Sequence, residues 1–223
     1  RQEVAWALYD WAASAYALCI LAGFFPIFFE SYWAADLPAP QETFWYGILV
    51  SVASLAGAIL APFIGTLADT GRSRKKWLVV FAVLGMCCTC GLILVGRNNW
   101  PLAGGIFILG TVGYYGAFIV YNSLLPIVSP PKNRHFVSGL GFAMGYLGGV
   151  ILFAASIALV KNHAAFGLAT ETQAVHIAFL AAAIWWLLFT LPLLFLVNEP
   201  SKDQPPTAMR TSLVHLGKTI REM

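Results

Sequence analysis

Charge is what this sequence has least of. Only 10 % of its 223 residues are Asp, Glu, Lys or Arg, while 59 % are hydrophobic; a soluble domain carries about 25 % charged residues. Such a chain cannot cover itself for water, so its solvent is mostly lipid. The net charge of +3 is too small to suggest a nucleic-acid partner. Cysteine is scarce too. Cys19, Cys87, Cys88 and Cys90 all fall inside apolar runs without metal-ligand company, which makes them small apolar fillers rather than a disulfide or zinc set. The histidines, His135, His163, His176 and His215, do not cluster. Neither a metal nor a cofactor is expected. No cleavable signal peptide is expected either, because the first apolar run is too long and continues as a span.

Long apolar runs are what the chain does have. Six exceed or approach the ~20 residues that a membrane-spanning helix needs: about 4–33, 44–68, 77–96, 102–125, 136–160 and 174–197. The expected fold is an all-α membrane protein, a six-helix bundle over residues 1–200. The polar stretch 201–206 then leads into 207–223, where Met209, Leu213, Leu216 and Ile220 recur at helical spacing with Arg210, Lys218 and Arg221 off the stripe, as in a short interfacial amphipathic helix. Pro26 is placed to kink the outer part of the first helix, and Pro126, Pro130 and Pro131 to end the fourth.

The cations sort by side. Arg72, Arg74, Lys75, Lys76, Lys132, Arg134 and those near the termini share one face of a six-span chain, and only Arg97 and Lys161 fall on the other. Short basic loops stay cytoplasmic, so both termini are expected in the cytoplasm, in a bacterial inner membrane.

A few residues stand out as chemistry. Asp10 is a carboxylate within a span, a functional position by default. Ser14 and the small residues Ala13 and Ala17 share its helical face, as in a cavity wall; the plainer reading is a carboxylate near the helix end that only caps or pairs. Tyr121, Asn122 and Ser123 put an aromatic, an amide and a hydroxyl in series, fit to bind a polar solute or simply to serve as interface belt and helix-to-helix bond. Tyr146, Tyr114 and Tyr115 are weaker candidates of that kind. Asp69, with Arg72, Arg74 and Lys75, would pin a cytoplasmic gate or form a solvated topology anchor. Gly141, Gly145 and Gly149 lie four apart, the spacing that lets helix backbones approach closely in lipid.

These stretches carry a resemblance. Gly65-Thr66-Leu67-Ala68-Asp69, followed by Gly71 and the cation cluster, resembles the loop between the second and third helices of major facilitator transporters. Trp6-Ala7-Leu8-Tyr9-Asp10-Trp11-Ala12, Gly23-Phe24-Phe25-Pro26, Tyr121-Asn122-Ser123-Leu124-Leu125-Pro126 and the glycine-rich run from Val137 to Gly149 together resemble the vacuole-effluxer-like branch, which includes autophagy-related vacuolar amino-acid exporters. The resemblance implies the amino-terminal half of a twelve-helix secondary transporter that moves a small polar solute, amino acids among the candidates, by alternating access around a central cavity. Thr70 stands where the superfamily loop has a cation, and Tyr146 follows Gly145 where the antiporter motif has proline. The expected partners are membrane lipid, the solute, and either a second six-helix half or a second copy of this chain. The first residue is not Met and the tail stops inside a helical pattern, which suits a piece of a longer transporter. Two alternatives remain: a self-associating half-transporter or structural membrane module, and an intramembrane enzyme. The enzyme reading lacks a Gly-x-Ser-Gly turn, a mid-span His and a cluster of Asp at one interface.

Overall fold

The computed structural model describes residues 1–69 and 73–199, with side chains outside 67–69. The amphipathic helix expected beyond 206, and Arg72, lie outside the described residues.

Six helices long and apolar enough to cross a membrane fill the described chain. Helix α1 covers Gln2–Trp33, α2 Ala39–Asp69, α3 Arg74–Gly91 with a 3-10 turn at Leu92–Leu94, α4 Trp100–Val128, α5 Arg134–Lys161 and α6 Glu171–Leu196. No strand occurs among the described residues. Helices α3 and α4 pack together, as do α1 and α5; α2 lies on α4, and α6 closes the bundle against α1 and α3.

Pro26 and Pro126 sit inside helices, and the second departs from the sequence reading. Pro26 sits between two wide-turn segments of α1, Tyr16–Phe24 and Phe29–Trp33, and the Phe25 amide bonds back to the Ile20 carbonyl, five residues earlier. A helical proline crowds the carbonyl four residues before it, here that of Ala22, and wider turns relieve the crowding. Pro126 does not end α4, which continues to Val128. Only Ile127 and Val128 follow this proline in the helix, its crowding falls on the preceding turn at the Asn122 carbonyl, and Arg134 Nη2 donates to the Pro126 carbonyl at 3.5 Å. Pro40 and Pro101 fall in the first turns of α2 and α4, where a missing N–H costs nothing. Thr170 caps α6 by accepting from the Gln173 amide at 3.3 Å, and the Gln173 side chain takes the Ala169 amide in return at 3.0 Å, close to a capping box.

The interior is aromatic and glycine-rich, and the exterior is apolar too. Trp6, Tyr9, Tyr16, Tyr121, Trp33, Phe25, Phe179 and Trp186 are buried, while Leu55, Ile59, Phe63, Leu188 and Phe195 point outward. Lipid gives apolar side chains no reason to hide, so association rests on packing. Glycine provides it. Gly113 of α4 lies against Gly85 so closely that a Cβ there would sit 2.6 Å from the Gly85 nitrogen. Phe25 of α1 stacks on Phe107 of α4 with ring centroids 3.9 Å apart.

Hydrogen bonds close both ends of the bundle. At one end, Ser129 Oγ donates to Glu3 Oε1 at 2.9 Å. Lys75 Nζ donates to the Leu194 carbonyl, and Glu199 Oε1 accepts from the Lys75 amide, both at 2.9 Å. At the other end, Trp33 Nε1 donates to the Val95 carbonyl at 3.3 Å and the Asn98 amide to the Tyr32 carbonyl at 3.1 Å. The start of α1, the end of α6 and the cations of α3 and of the loop between α4 and α5 therefore share one end.

Candidate functional site

Asp10 lies in the first third of α1, within its regular segment Gln2–Ala15. It is 6 % exposed and opens onto a cavity of about 170 Å³ lined by Asp10, Ser14, Ala17, Leu18, Tyr114, Phe118, Phe142 and Tyr146. Three helices build it. Residues 10, 14, 17 and 18 recur every three or four positions and so share one stripe of α1. Tyr114 and Phe118 are one turn apart on α4, as are Phe142 and Tyr146 on α5.

The glycines of α5 bring the walls together. A Cβ at Gly145 would lie 2.7 Å from Ser14 Oγ and 3.0 Å from Asp10 Oδ1; at Gly141 it would meet Trp6 at 2.7 Å, and at Gly149 Leu18 at 2.5 Å. Gly148, not singled out in the sequence, meets Trp11 in the same way, with 2.5 Å to its indole. Phe142 and Tyr146 each follow a glycine of this stripe, rotated from it by about 100°. They consequently stand beside the α1–α5 seam rather than in it, 53 % and 69 % exposed.

The site is electrically one-sided. Among the described residues no cation lines the cavity. The Ser14 hydroxyl is beside the Asp10 carboxyl group, and the hydroxyls of Tyr9, Tyr114 and Tyr121 lie within its electrostatic reach. The Tyr121 hydroxyl is buried without a hydrogen-bond partner. No group of three or more His, Cys, Asp or Glu residues able to hold a metal ion occurs among the described residues.

The other sequence candidates fall elsewhere. Tyr121 lies outside the cavity lining. It is 1 % exposed, its ring stacked on Trp6 at 4.3 Å and tilted against Tyr9 at 4.9 Å, while Trp6 Nε1 donates to its carbonyl at 3.1 Å. Tyr121 shares a face with Tyr114 but sits two turns further along α4, where Trp6 covers it. Asn122 is exposed and turns back on its own helix, donating to the Phe118 carbonyl at 2.8 Å. Tyr115 lines a separate shallow pocket with Gly57 of α2. At the basic end Arg74 Nη1 donates to the Ser123 carbonyl at 3.1 Å, so Arg74 and Lys75 tie α3 to α4 and α6. Asp69 ends α2.

Phe118, Phe142 and Leu18 are the lining residues that sequence reasoning missed. The available signal was spacing: each is four residues from a residue already singled out, namely Tyr114, Tyr146 and Ser14.

Six apolar spans, paired through glycine seams around an intramembrane carboxylate, define a membrane bundle of the type found as one half of a major facilitator transporter. The chain belongs to the vacuole effluxer Atg22-like family, whose profile matches residues 44–135 and 129–223. It is 31 % identical to a protein of Bacillus subtilis named as an uncharacterized MFS-type transporter, over all of this chain and 53 % of that one. It is 26 % identical to autophagy-related protein 22 of Gibberella zeae over 57 % of this chain and 24 % of that one. It is also 26 % identical to a multidrug resistance protein of Enterobacter lignolyticus, over 93 % of this chain and 45 % of that one. The chain thus spans about half the length of the curated relatives it matches. No solved structure matches it.

Proposed function

We propose that this chain is one half of a secondary transporter that moves a small polar solute across the membrane by alternating access, with Asp10 at the solute site. The observation that carries this reading is the buried Asp10 carboxylate at a cavity shared by three helices. A carboxylate held in a membrane span needs a partner; none of the described cations supplies one here, so a passing solute or proton is the natural candidate. Ser14, Tyr114 and Tyr146 would add polar contacts. Tyr121 would act behind the cavity wall, through its stack on Trp6 and Tyr9. Amino acids belong among the solutes to try, on the strength of the family resemblance. The partly exposed Phe142 and Tyr146 suit a surface that faces a second six-helix half.

The basic end would form the gate. Arg74 and Lys75 already hold α3 to the ends of α4 and α6, and Asp69 with Arg72 would complete the latch; opening that end would break these few bonds while the glycine seams stay closed. The membrane would be a bacterial inner membrane, with the basic end in the cytoplasm.

Accessibility tests alternating access without knowledge of the solute. In the full-length protein, with every native cysteine (Cys19, Cys87, Cys88 and Cys90 among them) replaced by Ser or Ala, Tyr146→Cys is exposed in turn to a membrane-impermeant thiol reagent on each side. Alternating access predicts labelling from both sides. Labelling from one side alone, under all conditions, rules it out.

A further inference from the structure

Resting on the transporter reading, we infer that the cavity of α1, α4 and α5 selects an organic cation: it takes the ammonium head of an amine or quaternary ammonium solute, the Asp10 carboxylate balancing its charge and Tyr114, Phe118, Phe142 and Tyr146 presenting aromatic surface to it. Three observations lead there. The one charged group in the lining is an anion, and no described cation stands near enough to line the cavity with it. A bound solute carboxylate would meet that anion unpaired in a site shielded from water, which is costly; a bound cation would pair it. The rest of the lining is mostly aromatic, and four aromatic rings around a single carboxylate are the chemistry that holds ammonium groups, which are attracted to ring faces within about 6 Å.

Size agrees with this. The volume of about 170 Å³ falls below the roughly 300–1,000 Å³ of sites that enclose a whole drug-sized ligand. It suits a headgroup. The remainder of the solute would extend over Phe142 and Tyr146, the two lining rings that are more than half exposed. Ser14 Oγ, held against Gly145 together with Asp10, is placed to donate to the carboxylate and keep it aimed at the opening.

The test is equilibrium binding to the full-length protein in detergent, with three probes of similar size: choline, its uncharged carbon isostere 3,3-dimethylbutan-1-ol, and the zwitterion leucine. The expected order has choline at least tenfold tighter than either of the others. Asp10→Asn should weaken choline binding about tenfold or more, Asp10→Glu should retain most of it, and Tyr146→Leu should weaken it about threefold, in the range of one cation–π contact. Tyr146 is exposed enough that its replacement leaves folding intact, so the inference does not hang on the Asp10 variants alone. Equal binding of choline and its isostere overturns it. Tighter, Asp10-dependent binding of leucine also overturns it, yet leaves the transporter reading standing. No binding of any probe, together with one-sided labelling of Tyr146→Cys, overturns both.

Discussion

Gly145 shows how one missing methyl group shapes the site. Its Cα faces Ser14 Oγ and Asp10 at distances that admit no side chain, so Gly145→Ala must push α5 from α1 or displace the carboxyl group. Overpacking of this kind costs about 1–3 kcal/mol, and the variant should unfold at a lower temperature in detergent than the parent. Gly139→Ala is the matched control: nothing lies within 4 Å of that position, and alanine is the better helix former, so its melting temperature should equal or exceed the parent's. If both variants melt alike, the close α1–α5 seam is wrong. At this scale the sequence was legible where chemistry was rare. A carboxylate in an apolar run announces itself, and glycines four apart announce a seam. The aromatic wall was not legible in the same way, because 14 % of the chain is aromatic and most of those rings only pack. Tyr121 and Tyr114 share a face of α4. What separates buried stack from cavity wall is that Trp6 covers one and not the other, a tertiary fact that spacing does not contain.

Among the elements, α3 is fastened at both its middle and its start. In the middle, Gly113 of α4 meets Gly85 backbone to backbone, so Gly113→Ala has no side chain that can swing aside. It should destabilise the protein more than Gly145→Ala, where the neighbours are side-chain atoms. Thermal unfolding of the two variants side by side checks the order. At the start, the Lys75 ammonium group reaches the Leu194 carbonyl and the Glu199 carboxylate takes the Lys75 amide, an acidic group at a helix N-terminus where the dipole favours it. Lys75→Met should raise hydrogen exchange at residues 194–199 and leave exchange in the α1–α5 seam unchanged; unchanged exchange at 194–199 would show that the tie is idle. Element existence was plain from hydropathy, since each of the six apolar runs became a helix. Element ends were less plain. The sequence reading stopped α4 before Pro126 and started α2 after Pro40, whereas a proline in a first turn costs a helix little and α4 runs two residues past Pro126.

At the scale of the whole molecule, the start of α1, the end of α6, the cations of α3 and the α4–α5 loop gather, among the described residues, at one end of the bundle. The charge bias is the ground on which we propose that this end faces the cytoplasm. Single cysteines introduced at Lys132 and at Arg97, in a background without native cysteines, should therefore react with an impermeant reagent from opposite sides: Lys132→Cys only from the cytoplasm, Arg97→Cys only from outside. The reverse pattern would invert the assignment. The sequence carried the number of spans well, because that depends on hydropathy alone. It carried less of the cavity, which exists only once three helices meet.

The central claim is that Asp10 serves solute movement rather than the stability of α1. Transport of organic ammonium ions, amino acids and other small polar solutes into proteoliposomes, by the full-length protein and its Asp10→Asn variant at matched folded yield, tests it most directly. The account predicts that the variant folds and inserts like the parent but moves the transported solute at least about tenfold more slowly, the scale of a lost charged contact. An Asp10→Asn protein that transports at the parent's rate would contradict it.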